Sequence, residues 1–175
     1  GSDEQTAGPI NCVRASTLAA IFYIVKVVTD PEIPANAGCY RPVRIVLPER
    51  SVVNASPPAA VNGRAVTVRR VVDALLGAFA QAIPDRIPAA SSGHPLVMSM
   101  GGVDPASGRA YVTAEVGTGG MGARPGKDGI EAIQTDTSNA QNVPVEALEL
   151  EYPLRVGYYR LRPDSGGRGR WRGGL

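Results

Sequence analysis

Glycine and proline punctuate this chain so heavily, 21 and 15 of its 175 residues, that long regular elements are confined to a few stretches and the rest must turn. Two stretches carry helical apolar spacing. The first covers residues 12–29, where Val13, Leu18, Ala19, Phe22 and Val25 recur at helical intervals and Ile21, Ile24, Val27 and Val28 widen the stripe. Asn11 is placed to cap it, and Asp30-Pro31 ends it. The second covers residues 67–83, with Val68, Val71, Val72, Leu75, Leu76 and Phe79 facing inward and Pro84 as the stop. Between them, Pro31, Pro34 and Gly38 predict a rigid turn, and Val43, Ile45 and Leu47 alternate as one face of a strand over 41–48.

Later, residues 96–100 and 109–116 read as two strands joined by a turn at Asp104-Pro105-Ala106-Ser107-Gly108. A glycine-rich loop follows over 117–129. Pro144 then suits the first turn of a short helix over 145–151, residues 154–161 alternate as a strand, and the Gly/Arg-rich tail from Pro163 to Leu175 is irregular. The fold class expected is α+β: buried helices packed on a mixed or antiparallel sheet with long Gly/Pro-rich loops, forming a single segment over 1–175. Gly1-Ser2 in place of an initiating methionine, and an end at Gly173-Gly174-Leu175, suggest a fragment of a larger chain.

A formal charge of +2 is too small to imply a nucleic-acid partner. Cys12 and Cys39 are too few for a disulfide framework and read as reduced residues of a reducing, cytoplasmic compartment. The longest apolar run, 18–28, falls short of a membrane span, which takes about 20 residues.

Several motifs invite chemistry. Gly117-Thr118-Gly119-Gly120-Met121-Gly122 matches the glycine spacing of a dinucleotide-binding turn, but that turn needs a helix behind its last glycine, and Pro125, Gly126 and Gly129 bar one. Gly126-Lys127 is not a P-loop: Met121 stands where the first glycine belongs, and Asp128 where a Ser or Thr would bind magnesium. The loop is then either a structural turn or a wall whose bare backbone lets a ligand approach. The polar run Gln134-Thr135-Asp136-Thr137-Ser138-Asn139-Ala140-Gln141-Asn142 would either orient a small polar ligand or form a hydrogen-bonded turn. His94, the one histidine, has no second histidine or cysteine at ligand spacing and reads as a loop residue. The tail Gly166-Gly167-Arg168-Gly169-Arg170-Trp171-Arg172 has the ingredients of an RGG segment, but one short copy reads better as a covering loop that is tied down.

A series of motifs resembles the hydantoinase B/5-oxoprolinase family. It begins with Gly8-Pro9-Ile10-Asn11 and Asp30-Pro31-Glu32-Ile33-Pro34-Ala35-Asn36-Ala37-Gly38-Cys39, and continues with Arg41-Pro42, Pro57-Pro58-Ala59-Ala60-Val61 and Arg70-Val71-Val72-Asp73. Gly119-Gly120-Met121-Gly122-Ala123-Arg124-Pro125-Gly126 with Asp128-Gly129 comes next. Pro144-Val145-Glu146-Ala147-Leu148-Glu149, Tyr152-Pro153-Leu154-Arg155 and Leu161-Arg162-Pro163-Asp164-Ser165-Gly166-Gly167 complete it. Gly1-Ser2-Asp3 also matches the family's lead-in to this region. The order and spacing fit nearly the whole chain, and the series is specific although each motif alone is weak.

The resemblance implies a B subunit, or the C-terminal half of a fused chain, acting with a hydantoinase A-like subunit that binds ATP and Mg. The pair would open a cyclic amide such as a hydantoin, 5-oxoproline or a lactam; a related branch carboxylates ketones. The family's metal-binding His/Asp motifs lie upstream, so a divalent metal would be held outside this segment. Departures occur at Gly93-His94-Pro95-Leu96-Val97, at Gln134-Thr135-Asp136, where members often carry His-x-His, and at Val66-Thr67-Val68-Arg69. On this resemblance Asp128 or Asp136 would orient a water, and Arg124 and Lys127 would meet anionic groups. Gly120, Met121, Gly122, Thr135, Ser138, Asn139 and Asn142 would line the substrate site, and Glu146 would hold the polar loop. A non-catalytic assembly fragment is the alternative.

Overall fold

The computed structural model describes residues 2–93, 96–138 and 140–175. His94 and Asn139 therefore lie outside the described residues.

Two helices supply the core. α1 (Arg14–Val28) and α3 (Arg64–Ala80) pack on each other through Ala20 and Ile24 from one and Val72 and Leu76 from the other, with Ile87 closing the cluster. Tyr23, Val28, Val68, Val71 and Leu75 pack around it. The apolar stripe read for α3 is its buried stripe, except that Phe79 is exposed at the rim; in α1 the buried face runs through Thr17, Ala20 and Ile24, so that of the residues read only Ile24 is fully buried and Val13, Ala19 and Val27 are exposed. The sheet expectation needs correction: the helices bury against one another rather than on a sheet. An α+β class holds, with helices and a small antiparallel sheet in separate places.

Asn11 does not cap α1. The N-cap is Val13, with no side-chain bond. Asn11 is fully buried and ties loops together instead: its Oδ1 accepts from Thr6 N at 2.9 Å, and its Nδ2 donates to the carbonyls of Thr6, Gly8 and Ala60 at 2.8–2.9 Å. A buried amide with its oxygen and nitrogen both satisfied stabilises the arrangement rather than costing it. The second helix starts earlier than its periodicity suggests, at Arg64 behind Gly63, whose N–H bonds Pro9 O at 2.8 Å.

The turn after α1 contains one helical turn, α2 (Ala37–Tyr40), capped by Asn36 Oδ1 accepting from Gly38 N and Cys39 N. Tyr40 stacks on Phe22 of α1 at 3.9 Å between ring centroids. Residues 41–48 keep the alternation, with Val43, Ile45 and Leu47 half-buried, but they are not a strand: 41–42 turn, and among the described residues no neighbouring strand completes a ladder. The same correction applies to 154–161, which forms no regular element.

β1 (Leu96–Val103) and β2 (Ala110–Gly117) form an antiparallel hairpin, with Leu96 opposite Gly117 and Val103 opposite Ala110. Its turn is the one expected. Asp104 accepts from Ala106 N and from the Ser107 hydroxyl, and Gly108 takes a φ of +70°, which glycine adopts without strain. Both faces of the ribbon expose apolar side chains: Leu96, Val97, Met98, Val103 and Val112 are more than half exposed. α4 (Val145–Glu151) follows Pro144 as read from the sequence. Both cysteines are free. No helix among the described residues is long and apolar enough to cross a membrane.

Candidate functional site

The glycine-rich loop is the centre of the non-helical half, and its glycines are there because other backbone presses on it from two sides. On one side, Ala89 N bonds Ala123 O at 2.8 Å and Ser92 N bonds Gly120 O at 3.0 Å. On the other, Gly174 N bonds Met121 O, Gly129 N bonds Arg172 O, and Ala132 N bonds Leu175 O, at 2.7–3.0 Å. A side chain on Gly122 would begin 1.8 Å from Ala89 O, and one on Gly120 would begin 2.0 Å from Gly174 O. The tail is therefore tied down. Arg172 seals the clasp, its N–H donating to Asp128 Oδ1 at 2.7 Å and its guanidinium pairing with Glu131 at 2.8 Å.

Two cavities flank this loop. The larger, about 890 Å³, is walled by residues 89–92, the loop 117–123 and the tail, including Arg160, Arg162, Arg168 and Trp171. The smaller, about 290 Å³, is lined by Tyr23, Asp73, Ser91, Met121 and residues 133–138. Ala89, Ser91 and Met121 belong to both, so the cavities share a wall.

Polar side chains converge on the smaller cavity. Asp136 accepts from the Tyr23 hydroxyl at 3.3 Å through Oδ1 and from the Ser91 hydroxyl at 3.0 Å through Oδ2. Asp136 and Thr137 both lie in the left-handed region, at φ +56° and +49°. That conformation is costly for a β-branched residue such as Thr137 and tends to persist where a site requires it. Burial, helped by Asp136, pushes the Tyr23 phenol up to about 12. Arg69 is buried beside this group; desolvation lowers its affinity for the proton and Asp136 offsets part of the loss. Ser138 donates to Gln134 Oε1, while Gln134 Nε2 is buried without a hydrogen-bond partner.

Asp73 ion-pairs with Arg70 at 2.8 Å. Burial pushes its carboxyl above the usual range, Arg70 pulls it back and Asp136 pushes it further up. The unfolded chain therefore gives up this proton at lower pH than the folded one. Stability carried by the protonated carboxyl is complete below the ordinary value near 3.8 and is lost as pH rises through the raised folded value. Asp73→Asn lacks that loss. It should melt above the wild type at pH 7 and level with it near about pH 3, because the exposed Arg70 contributes little to the pair. Parallel melting-temperature curves across that range would refute this.

The residues singled out in the sequence fall into three groups. Gly120, Met121, Gly122 and Asn142 line the larger cavity, and Thr135, Asp136 and Ser138 the smaller. Arg124, Lys127 and Asp128 line neither; Arg124 and Lys127 exchange backbone hydrogen bonds at 3.0 Å across a tight turn, and Asp128 holds the tail. The carboxylate that accepts from the chain after the polar run is Glu115, bonding Val143 N, while Glu146 is exposed on α4. Sequence reasoning missed Tyr23, Asp73 and Ser91. A signal existed for Asp73: Arg69 and Asp73 stand four apart on the face of α3 that also buries Val72 and Leu76, so two charges interrupt a core stripe. Among the described residues no three His, Cys, Asp or Glu side chains come together as a metal-ligand set.

Comparison with known proteins agrees on one family. The chain is 38% identical to a 5-oxoprolinase of Pestalotiopsis fici over 99% of its own length and 14% of the relative's. It is 31% identical to the caprolactamase subunit beta of Pseudomonas jessenii, over 94% of this chain and 29% of that one. The crystal structure of the ATP-dependent caprolactamase from Pseudomonas jessenii superposes with a TM-score of 0.76 at 27% identity, covering 98% of this chain and 31% of that one. The chain thus spans less than a third of the length of these relatives. The hydantoinase B/oxoprolinase family model matches residues 1–175, and the chain belongs to that family.

Proposed function

We propose that this chain forms part of an ATP-dependent hydrolase that opens cyclic amides, such as a hydantoin, 5-oxoproline or a lactam, together with a hydantoinase A-like subunit and the remaining portion of the B subunit. Family membership and the relatives named 5-oxoprolinase and caprolactamase support this reaction class. The observation that carries the reading to residues is the pair of cavities sharing Ala89, Ser91 and Met121, with Asp73 and Asp136 on the smaller side and arginines on the larger. The free cysteines suit a cytoplasmic setting.

Phosphorylation of the amide oxygen, with ATP and Mg held by the partner subunit, would make the ring carbon electrophilic: water adds to it, the ring C–N bond breaks as the nitrogen takes a proton, and a second water hydrolyses the resulting acyl phosphate to a carboxylate and inorganic phosphate. This chain's residues would help to bind the ring and to orient the water. The scissile carbonyl would lie along the shared wall, where the glycine backbone leaves room for close approach. Asp136, oriented by Tyr23 and Ser91, would accept a proton from the attacking water, and Asp73 would add negative potential nearby. Thr135, Ser138 and Asn142 would bond the polar edge of the ring.

Arg124 belongs to the same proposal at longer range. Arg124 lines neither cavity, and its Nε is buried without a hydrogen-bond partner; its role would be to meet an anionic group that the rest of the assembly brings to the glycine loop. Arg124→Ala should lower ATP-dependent ring opening about tenfold or more. Wild-type turnover in that variant would remove Arg124 and its loop from the mechanism. The reading as a whole is tested by screening hydantoin, 5-oxoproline and lactams for ATP-dependent ring opening by the full-length protein with its co-purifying subunit. No turnover of any of them would sink it.

The exposed apolar ribbon β1–β2 favours a second reading, in which the chain serves only assembly. Strong binding of a hydrophobic dye by the isolated chain would support it, and a sharp cooperative melt would argue for an autonomous domain.

A further inference from the structure

The larger cavity separates charge in a way the sequence did not suggest. Its lining contains the side chains of Arg160, Arg162 and Arg168 and no aspartate or glutamate. The other arginines of the tail are engaged elsewhere: Arg172 pairs with Glu131, and Arg170 lies over the Trp171 ring at 5.0 Å. Arg160 itself sits over the Tyr158 ring at 4.8 Å. Among the described residues neither Arg162 nor Arg168 has a carboxylate partner, so both guanidinium groups keep their donors available. The tail that carries Arg168 is fixed at 172–175 by the clasp on the glycine loop, and Ser165 donates to Arg162 O at 2.9 Å, which holds the chain between them.

We infer that the larger cavity is an oxyanion site in which Arg162 and Arg168 bind the phosphoryl or carboxylate oxygens of the reacting ligand. Both groups present planar or tetrahedral arrays of charged oxygens that match a guanidinium fork. The inference rests on the ring-opening reading for the source of the oxyanion. A phosphoryl group would come from the activated amide and a carboxylate from the opened product. The role given to Arg124 and Lys127 by their sequence neighbourhood passes, inside the cavity, to the tail.

The test is calorimetric titration of the full-length protein, with its co-purifying subunit, first with inorganic phosphate and then with acetate. The double variant Arg162→Gln/Arg168→Gln should bind at least about tenfold more weakly than wild type. Arg44→Gln, an exposed arginine outside the cavity, should bind as wild type does. Both target arginines are exposed, so the variant should keep the wild-type melting curve; if it does not, Arg168→Gln alone serves. Preference for phosphate identifies a phosphoryl site and preference for acetate a carboxylate site, and either supports the inference. Equal affinity in wild type and variant, or no binding of either anion by wild type, overturns it. The two readings fail separately. Variant-sensitive binding without ring opening would sink only the proposed reaction. Ring opening with an unchanged KM and unchanged phosphate inhibition in the double variant would sink only the oxyanion site.

Discussion

Asp136→Asn is expected to lower ATP-dependent ring opening by about a hundredfold or more, the range in which positioned general bases act, with little change in substrate KM. The carboxylate is held from two sides, by Tyr23 on α1 and Ser91 on the segment along the glycine loop, and it lines the smaller cavity. Asparagine keeps the size and one accepting oxygen but cannot take a proton from water at neutral pH. Because its amide would face a hydroxyl that now donates to Asp136, the substitution also forces one hydroxyl to turn. The melting temperature is therefore measured alongside. Tyr23→Phe separates the two effects: it removes one orienting bond and leaves the base, so it should cost much less, about tenfold or below. Turnover by Asp136→Asn within about threefold of wild type would show that this carboxylate does not accept the proton.

What was legible in the sequence followed from local rules. The apolar stripe of α3 marked the core because helical periodicity is a property of the element itself, whereas α1 is apolar almost all round and its pattern did not single out the buried Thr17 and Ala20. The hairpin turn was legible because Asp104 and Gly108 satisfy it locally. Two strands were misread at 41–48 and 154–161: alternation reports which side chains are covered, not whether another strand is present to pair with. Asn11 misled for a related reason. An asparagine before an apolar helix is a good cap, but this one bonds Ala60, 49 residues away, and a contact at that separation leaves no mark in a local window. The site shows the same division. Thr135, Asp136 and Ser138 were legible as a polar run, whereas their assembly with Tyr23 and Asp73 depends on α1 and α3 meeting. Glycine spacing at 117–122 fitted nucleotide-loop grammar, yet Gly122 answers to Ala89 upstream and Gly120 to a tail more than 50 residues downstream.

That last point yields the second large effect. Gly120→Ala should release the tail from the loop. The added methyl would lie 2.0 Å from Gly174 O and 2.2 Å from Gly174 C, both backbone atoms that cannot rotate away, so the two segments must separate. Overpacking of this kind costs about 2–4 kcal/mol, comparable to what a few backbone hydrogen bonds contribute net, so the clasp through Gly174, Arg172 and Leu175 should open while the α1–α3 core stays folded. Arg168, Arg170 and Arg172 then become cleavable, and trypsin should cut the variant's tail about tenfold faster or more, in line with an opening equilibrium shifted by over 1.4 kcal/mol. Amide exchange at Gly129 and Ala132, which donate to the tail, should rise in parallel. Gly77→Ala is the matched control. Nothing lies within 4 Å of its added methyl, and it sits inside α3, so it should leave tail cleavage unchanged and raise stability by about 0.5–1 kcal/mol. If Gly120→Ala and Gly77→Ala are cleaved at the same rate, the tail is not clasped by the glycine loop, and the larger cavity loses the wall on which its arginines stand.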